Sequence, residues 1–290
     1  MDFSKVAVLG GGLLGGSLAL ALRERFPKLP VALWARRAET VDAAKQRGIH
    51  EATGHLAEAL EGADLVILST PVGAMATVLF AAQSAGLSAD ALITDVGSVK
   101  VAPHRCLGPI LQRSNGRFIG SHPMAGSELT GIGAADASLF EGAACLLTDE
   151  DQVGEPWVSR LQRFWEATGC RVNWMNAAAH DALVARISHF PHLMAAAAAK
   201  VALQNPADGR FGGGGLRDTT RVAGGDPAMW AEIVTENREA LRAVLSHGIR
   251  EMSEMLAMLE AGEQEPLRRW LEDAKQARDA SLAAVRNDFP

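Results

Sequence analysis

The segment Val6–Gly15 reads VAVLGGGLLG, a short apolar run that breaks into glycines at positions 10, 11, 12 and 15. An apolar stretch from Ser17 to Leu22 follows. Together they restrict the start of the chain to one arrangement: β-strand, tight turn, α-helix. Gly10, Gly12 and Gly15 match the spacing G-x-G-x-x-G. In that pattern the first glycine permits the turn and the second lets the backbone approach a pyrophosphate. The third lets the helix lie close to the strand, and the helix N-terminus presents unpaired N–H groups to the phosphates. A strand before and a helix after are the context the pattern requires. Gly10, Gly12, Leu13, Leu14 and Gly15 are therefore expected to hold a dinucleotide; the alternative is a glycine turn that binds nothing.

Strand and helix signals then alternate. Strands are predicted at 31–34, 65–69, 92–95, 118–121, 144–148 and 171–174, and helices at 36–47, 73–83, from about 98 through 111, and 156–168. That alternation predicts a parallel sheet covered on both faces, with ligands at the carboxyl ends of the strands. Thr70 and Pro71, Ser98, and His122 each follow a predicted strand end, so one cleft is expected to gather them. The strand at 31–34 ends at Ala35-Arg36-Arg37, where an NAD site carries an acid for the ribose hydroxyl. No carboxylate is present, and two guanidiniums suit a 2′-phosphate. NADP is therefore expected over NAD, unless Arg36 and Arg37 only begin a solvated helix.

From Asn176 the strand pattern stops. Residues 177–204 form a long alanine-rich segment containing Ser188-His189-Phe190-Pro191-His192. The proline should kink or restart a helix, and a kink could turn His192 toward a cleft. A glycine-rich loop, 208–226, carries Arg217 and Arg221; apolar residues at helical spacing then run from Trp230 to Leu259, predicting one helix over 227–260 and a last one over 267–285. A periodic pattern this long packs across more than its own domain, so a dimer is expected. With 290 residues, two domains fit: residues 1–174 for the dinucleotide and 175–290 as an all-helical remainder.

The net charge, 28 − 34 = −6, gives no general attraction to nucleic acid or to an anionic membrane, and no uncharged apolar run reaches the length of a membrane span. Cys106, Cys145 and Cys170 are widely spaced, without a C-x-x-C pair, so disulfides and zinc sites are not expected. The N-terminus enters a strand without a basic-then-apolar leader, and a cytoplasmic location fits.

Gly120–Glu128 reads GSHPMAGSE. His122 there can move a proton near neutral pH and, beside a nicotinamide, could take a hydroxyl proton while hydride leaves the same carbon; the alternative is a histidine bonded to its own loop. Ser98 could orient His122, touch substrate, or only cap a helix. Arg217 and Arg221 are candidate carboxylate clamps, unless they pair with Asp218 or Asp226. On residue type alone His189, His192 and Trp230 read as structural and Lys100 as a solvated helix residue. His50, His55, His104 and His247 receive no role, and no cluster has metal-ligand spacing.

The glycine fingerprint, Asp95-Val-Gly-Ser-Val-Lys100, Gly120–Glu128, Ser188–His192 and Gly214-Gly-Leu-Arg-Asp-Thr-Thr-Arg221 with Met229-Trp230 occur in this order over nearly the whole chain. The combination resembles prephenate dehydrogenases, including their arogenate-using relatives. The resemblance implies a Rossmann-type nucleotide domain followed by an all-helical C-terminal dimerisation domain, hence an α/β fold and a homodimer. It implies oxidative decarboxylation of prephenate, or of arogenate, with NADP or NAD, in tyrosine biosynthesis. His122 would be the catalytic histidine and Ser98 the serine that works with it. Arg221 would bind a substrate carboxylate, with His192, Trp230 and Glu128 in the substrate site. His180 and Asp181 would match a pair able to reach the neighbouring subunit's site. The chain departs from many NAD-using members at Ala35. It also ends after one helical domain, without the mutase or regulatory domain fused to some relatives. Other readings are an NADP-linked β-hydroxyacid dehydrogenase, a class with a catalytic lysine on its interdomain helix, where Lys200 lies. A non-catalytic NADP sensor and a purely structural helical dimer complete the alternatives.

Overall fold

The computed structural model describes residues 2–287. Six strands form a parallel sheet: β1 (Val6–Leu9), β2 (Val31–Trp34), β3 (Ala52–Thr53), β4 (Leu65–Leu68), β5 (Leu92–Asp95) and β6 (Arg117–Phe118), in the order β3-β2-β1-β4-β5-β6. This is the doubly wound order of dinucleotide-binding sheets, with the chain reversing direction across the sheet between β1 and β4. Central strands VAVL and LVIL are buried at every position, as expected where helices cover both faces. Alternate β1 side chains enter different layers. Val6 and Val8 join a core with Leu18 and Leu22 of α1 (Leu13–Arg25), whereas Ala7 and Leu9 face Met75 and Leu79.

The helices α2 (Ala38–Gln46), α3 (Leu56–Leu60), α4 (Val72–Ser84) and α5 (Val101–Gln112) complete this part. Met75 and Leu79 lie on α4. A second sheet was not expected. The run predicted as one strand over 118–121 divides at Ile119: β6 stays in the parallel sheet, and β7 (Gly120–Pro123) pairs antiparallel with β8 (Ala144–Thr148). β8 pairs parallel with β9 (Arg171–Trp174), and α6 (Trp157–Ala167) joins them in sequence.

The alanine-rich segment bends as its proline predicts. α7 (Ala177–Val184) runs into a π-helical turn at Ala185–His189, and α8 (Phe190–Ala202) restarts with Pro191 in its first turn. Such turns widen a helix locally and recur at functional positions. Next come α9 (Gly214–Thr220) and α10 (Pro227–Glu236), capped by Asp226, whose side chain accepts from the Met229 N–H at 2.7 Å. The single helix predicted over 227–260 is interrupted at Asn237, and α11 (Arg238–Glu260) follows. The reason is a side chain: Asn237 is buried and bonds elsewhere in the helical region, as described below.

The chain packs as two compact units divided between Leu241 and Arg242. The second contains most of α11 and α12 (Gln264–Asn287), with the Trp270 indole donating to Glu251 at 2.9 Å. Ile249, Met252, Leu256, Leu259 and Leu271 are exposed on these helices. Among the described residues no helix is long and apolar enough to cross a membrane.

Candidate active site

The glycine turn has the shape its sequence predicts. Gly10 has φ +133°, and a Cβ there would stand 2.2 Å from the Ser69 carbonyl oxygen. A Cβ on Gly15 would meet the Gly10 carbonyl at 2.0 Å. Both positions therefore exclude side chains, which draws α1 against the β1–β4 crossing. A Cβ on Gly12 meets nothing within 4 Å, so the space over the helix N-terminus is open. The first turn of α1 has no acidic residue and no side-chain cap, leaving N–H groups for an anion. Leu13 is half-buried here, and Leu14 packs into the core beneath. At the end of β4, Thr70 carries a buried hydroxyl without a hydrogen-bond partner beside exposed Pro71. An open helix N-terminus and an unpartnered hydroxyl, both at strand carboxyl ends, fit a dinucleotide. Arg36 and Arg37 are exposed just beyond β2, and neither makes an ion pair among the described residues.

His122 lies inside β7 of the second sheet and not at a strand end of the first. Its ring is buried, and Nδ1 is 2.9 Å from His180 Nε2. His180, fully buried on α7, places Nδ1 2.8 Å from Asp181 Oδ1. Asp181 also accepts from two consecutive backbone N–H groups at the start of α5, those of Lys100 at 2.7 Å and Val101 at 3.0 Å.

This chain of bonds dictates tautomers. A carboxylate only accepts, so His180 Nδ1 carries the proton. In neutral His180 the other nitrogen, Nε2, must then accept, and His122 Nδ1–H donates to it. His122 is left with a lone pair on Nε2, the form a base requires. Burial, then the neighbouring His180 and the Lys100 ammonium, push the His122 pKa well below the ordinary 6.5. Burial also lowers His180, opposed by its bond to Asp181. At neutral pH both rings are uncharged.

His180 and Asp181 thus bond in sequence to their own chain's His122. Ser98 is half-buried between β5 and α5, its hydroxyl forms no hydrogen bond among the described residues, and the N-cap residue of α5 is Lys100. The residue bonded to His122 is His180. Lys100 is not solvated: it is fully buried, and its ammonium pairs with Asp95. Asp95 also accepts from Gly97 N at 2.9 Å and Ser121 N at 3.0 Å, which ties β5 to the strand carrying His122.

Around this centre, Asn237 donates its amide to the Asp181 carbonyl at 2.8 Å and contacts His189 Nδ1 at 3.1 Å. Burial lowers His189 to about 4. His192 is buried and stacks on Trp230, with centroids 3.5 Å apart and planes 9° from parallel. Arg221 pairs neither with Asp218 nor with Asp226. Its guanidinium is 3.6 Å from Glu128, both groups being well exposed. Arg217 is exposed and forms no ion pair among the described residues. Asp95, Lys100 and Asn237 had no role in the sequence reading. The one local signal for the first two was the DVGSVK segment, which joins a strand end to a helix start.

A doubly wound dinucleotide fold and an uncharged histidine with a free lone pair are the equipment of a nicotinamide-dependent dehydrogenase, and the protein is an enzyme of that class. Residues 18–174 match the family described as prephenate dehydrogenase, nucleotide-binding domain, and residues 176–273 match prephenate dehydrogenase, dimerization domain. The chain belongs to the prephenate dehydrogenase family. It is 33% identical over 288 residues to the cyclohexadienyl dehydrogenase of Zymomonas mobilis, covering 97% of this chain and 96% of that one. It superposes on the crystal structure of Aquifex aeolicus prephenate dehydrogenase in complex with hydroxyphenyl propionate and NAD+, with a TM-score of 0.87, 30% identity, and 97% and 99% of the two chains covered. Synechocystis arogenate dehydrogenase gives a TM-score of 0.76 at 29% identity, covering 96% and 99%.

Proposed function

We propose that the protein converts prephenate to 4-hydroxyphenylpyruvate by NADP-linked oxidative decarboxylation in tyrosine biosynthesis, with His122 as the base. The observation that carries this reading is the buried His122–His180–Asp181 chain, which leaves His122 Nε2 free to accept a proton. The substrate is a cyclohexadiene with a 4-hydroxyl and a ring carboxylate. His122 takes the hydroxyl proton, and the Asp181 carboxylate, acting through His180, stabilises the positive charge that results. The glycine turn at Gly10, Gly12 and Gly15 would hold the dinucleotide, whose nicotinamide would supply the hydride acceptor for C4. The ring carboxylate then leaves as carbon dioxide, its bonding electrons aromatise the ring, and His122 returns the proton to the oxygen, which becomes a phenol. No net proton is taken up, and aromatisation makes the reaction irreversible.

Arg221 is the anchor for a substrate carboxylate. Its ion pair with Glu128 is exposed, and such pairs contribute roughly 0–1 kcal/mol, so exchange for a substrate carboxylate meets little opposition. The His192–Trp230 stack forms a wall of the substrate site. An imidazole and a guanidinium suit the keto acid side chain of prephenate better than the ammonium of arogenate. Arg36 and Arg37, exposed beyond β2 and without an ion pair among the described residues, favour the 2′-phosphate of NADP. A domain boundary near residue 175, a dimer formed by the helical part and a cytoplasmic location complete the proposal. Steady-state turnover of prephenate and arogenate, each with NADP and NAD, tests it. The highest kcat/KM is expected for prephenate with NADP, and absence of turnover on all four pairings refutes it.

A further inference from the structure

We propose that Lys100 is a positioning residue for this reaction, one that fixes the His180–His122 pair from below through both its ammonium and its backbone. The inference rests on His122 being the base, as proposed above, but its deciding measurement, the titration of His122, does not depend on turnover.

A lysine with no exposed surface is rare, because an ammonium loses its hydration on burial. Here it is held by geometry on two sides. Its Nζ binds Asp95, the residue that also holds the Ser121 N–H, one position before His122. Its own N–H binds Asp181 Oδ1, the same oxygen that receives His180 Nδ1. One residue therefore touches both carboxylates that orient the histidines. An apolar residue of similar length would keep the backbone contact to Asp181 but lose the tie to Asp95 and the charge.

That charge has a direction of effect. Facing His122 and His180 are Asp181, Lys100, Asp95 and His189. Asp181 and Asp95 favour a proton on the pair, while Lys100 opposes one. The ammonium thus adds to burial and to His180 in keeping His122 unprotonated, and Asp181 stabilises the imidazolium once it forms. Burial tends to deprotonate Lys100, and Asp95 opposes that tendency.

The test follows the titration of His122 in protein carrying isotope-labelled histidine, by NMR, in the wild type, in Lys100→Met and in Asp95→Asn/Lys100→Met. The double variant removes both members of the pair, so no buried carboxylate is left without its partner if the single variant fails to fold. Removal of the ammonium is expected to move the His122 midpoint upward by about one pH unit, a size typical of a neighbouring charge, with a smaller upward shift in the double variant. The acid limb of kcat/KM should move with it while the KM for the dinucleotide stays unchanged. A folded variant whose His122 midpoint matches wild type overturns the inference. Inactive wild-type enzyme whose His122 midpoint still responds to Lys100→Met refutes the reaction and leaves the role of Lys100 intact.

Discussion

Replacing Asp181 with asparagine removes one charge and one acceptor from the far end of the histidine chain. Asp181 Oδ1 accepts from Lys100 N and His180 Nδ1, and Oδ2 from Val101 N. An asparagine keeps one oxygen. If that oxygen occupies the Oδ1 position, its amino group confronts the Val101 N–H, donor against donor. If it is flipped, the amino group confronts the Lys100 N–H and donates to His180 Nδ1. His180 must then carry its proton on Nε2 and donate to His122, which leaves the His122 proton on its own Nε2, where the lone pair was. Either orientation strands a buried donor, at about 1–3 kcal/mol of stability. Both also leave the imidazolium without its counter-charge. A hydrogen bond to a charged group contributes roughly 1.5–3 kcal/mol, and about 1.4 kcal/mol is tenfold in rate. Asp181→Asn should therefore lower kcat by about 10- to 100-fold, with the KM for substrate nearly constant. His122→Asn is the limiting case, with a loss on the order of 10²–10⁴-fold. Reduced-nicotinamide absorbance under saturating cofactor measures both. Asp181→Asn with kcat within about twofold of wild type, against the tenfold minimum from a charged bond, would show that the chain of bonds does not orient the base.

Three further outcomes are expected. Arg221→Ala should raise the substrate KM by about 10- to 100-fold through loss of a charge-assisted contact, while the dinucleotide KM stays put; an equal rise in both would point to misfolding. Arg36→Ala/Arg37→Ala should weaken NADP far more than NAD in paired KM measurements, and equal losses would remove the basis for the NADP preference. Acid should destabilise the fold. His122, His180 and His189 are held below the ordinary value of 6.5, His189 at about 4, so the unfolded chain takes up protons first. The stability these neutral rings contribute is complete above pH 6.5 and is lost as pH falls toward their folded values, at up to about 1.4 kcal/mol per pH unit for each. Thermal melts between pH 7 and 5 should show a falling midpoint, and a flat profile would contradict the burial of three neutral imidazoles.

The parallel sheet was legible because its signals are local: four-residue apolar runs, a glycine turn and helices between them. The departure of β7 was not, since its pairing with β8 joins residues some twenty-five apart and an apolar run looks alike in either sheet. His122 stood out by its segment, but its partner lies 58 positions downstream, and nothing in residue type distinguishes a bonded His180 from a solitary one. Family resemblance drew attention to His180 and Asp181 through reach to a neighbouring subunit's site, and the bond to His122 of the same chain was not part of it. Lys100 misled for a physical reason: at a helix start a lysine is usually solvated, and only the three-dimensional position of Asp95 explains its burial. Asn237 interrupted a periodic apolar pattern without disturbing its phase, so the break between α10 and α11 left no trace in the sequence.

The carboxylate of Asp181 has a second consequence. Helix α5 begins with no cap of its own, and the group that receives its first N–H donors comes from α7, about eighty positions later. The nucleotide-binding half is therefore finished by a residue it does not contain. A fragment that stops at Trp174 would have every strand of the parallel sheet and every glycine of the turn, yet the first turn of α5 would fray, because the Lys100 and Val101 N–H groups would lose their acceptor. A different helical half would leave those two N–H groups without their acceptor unless it placed an acid in the same position.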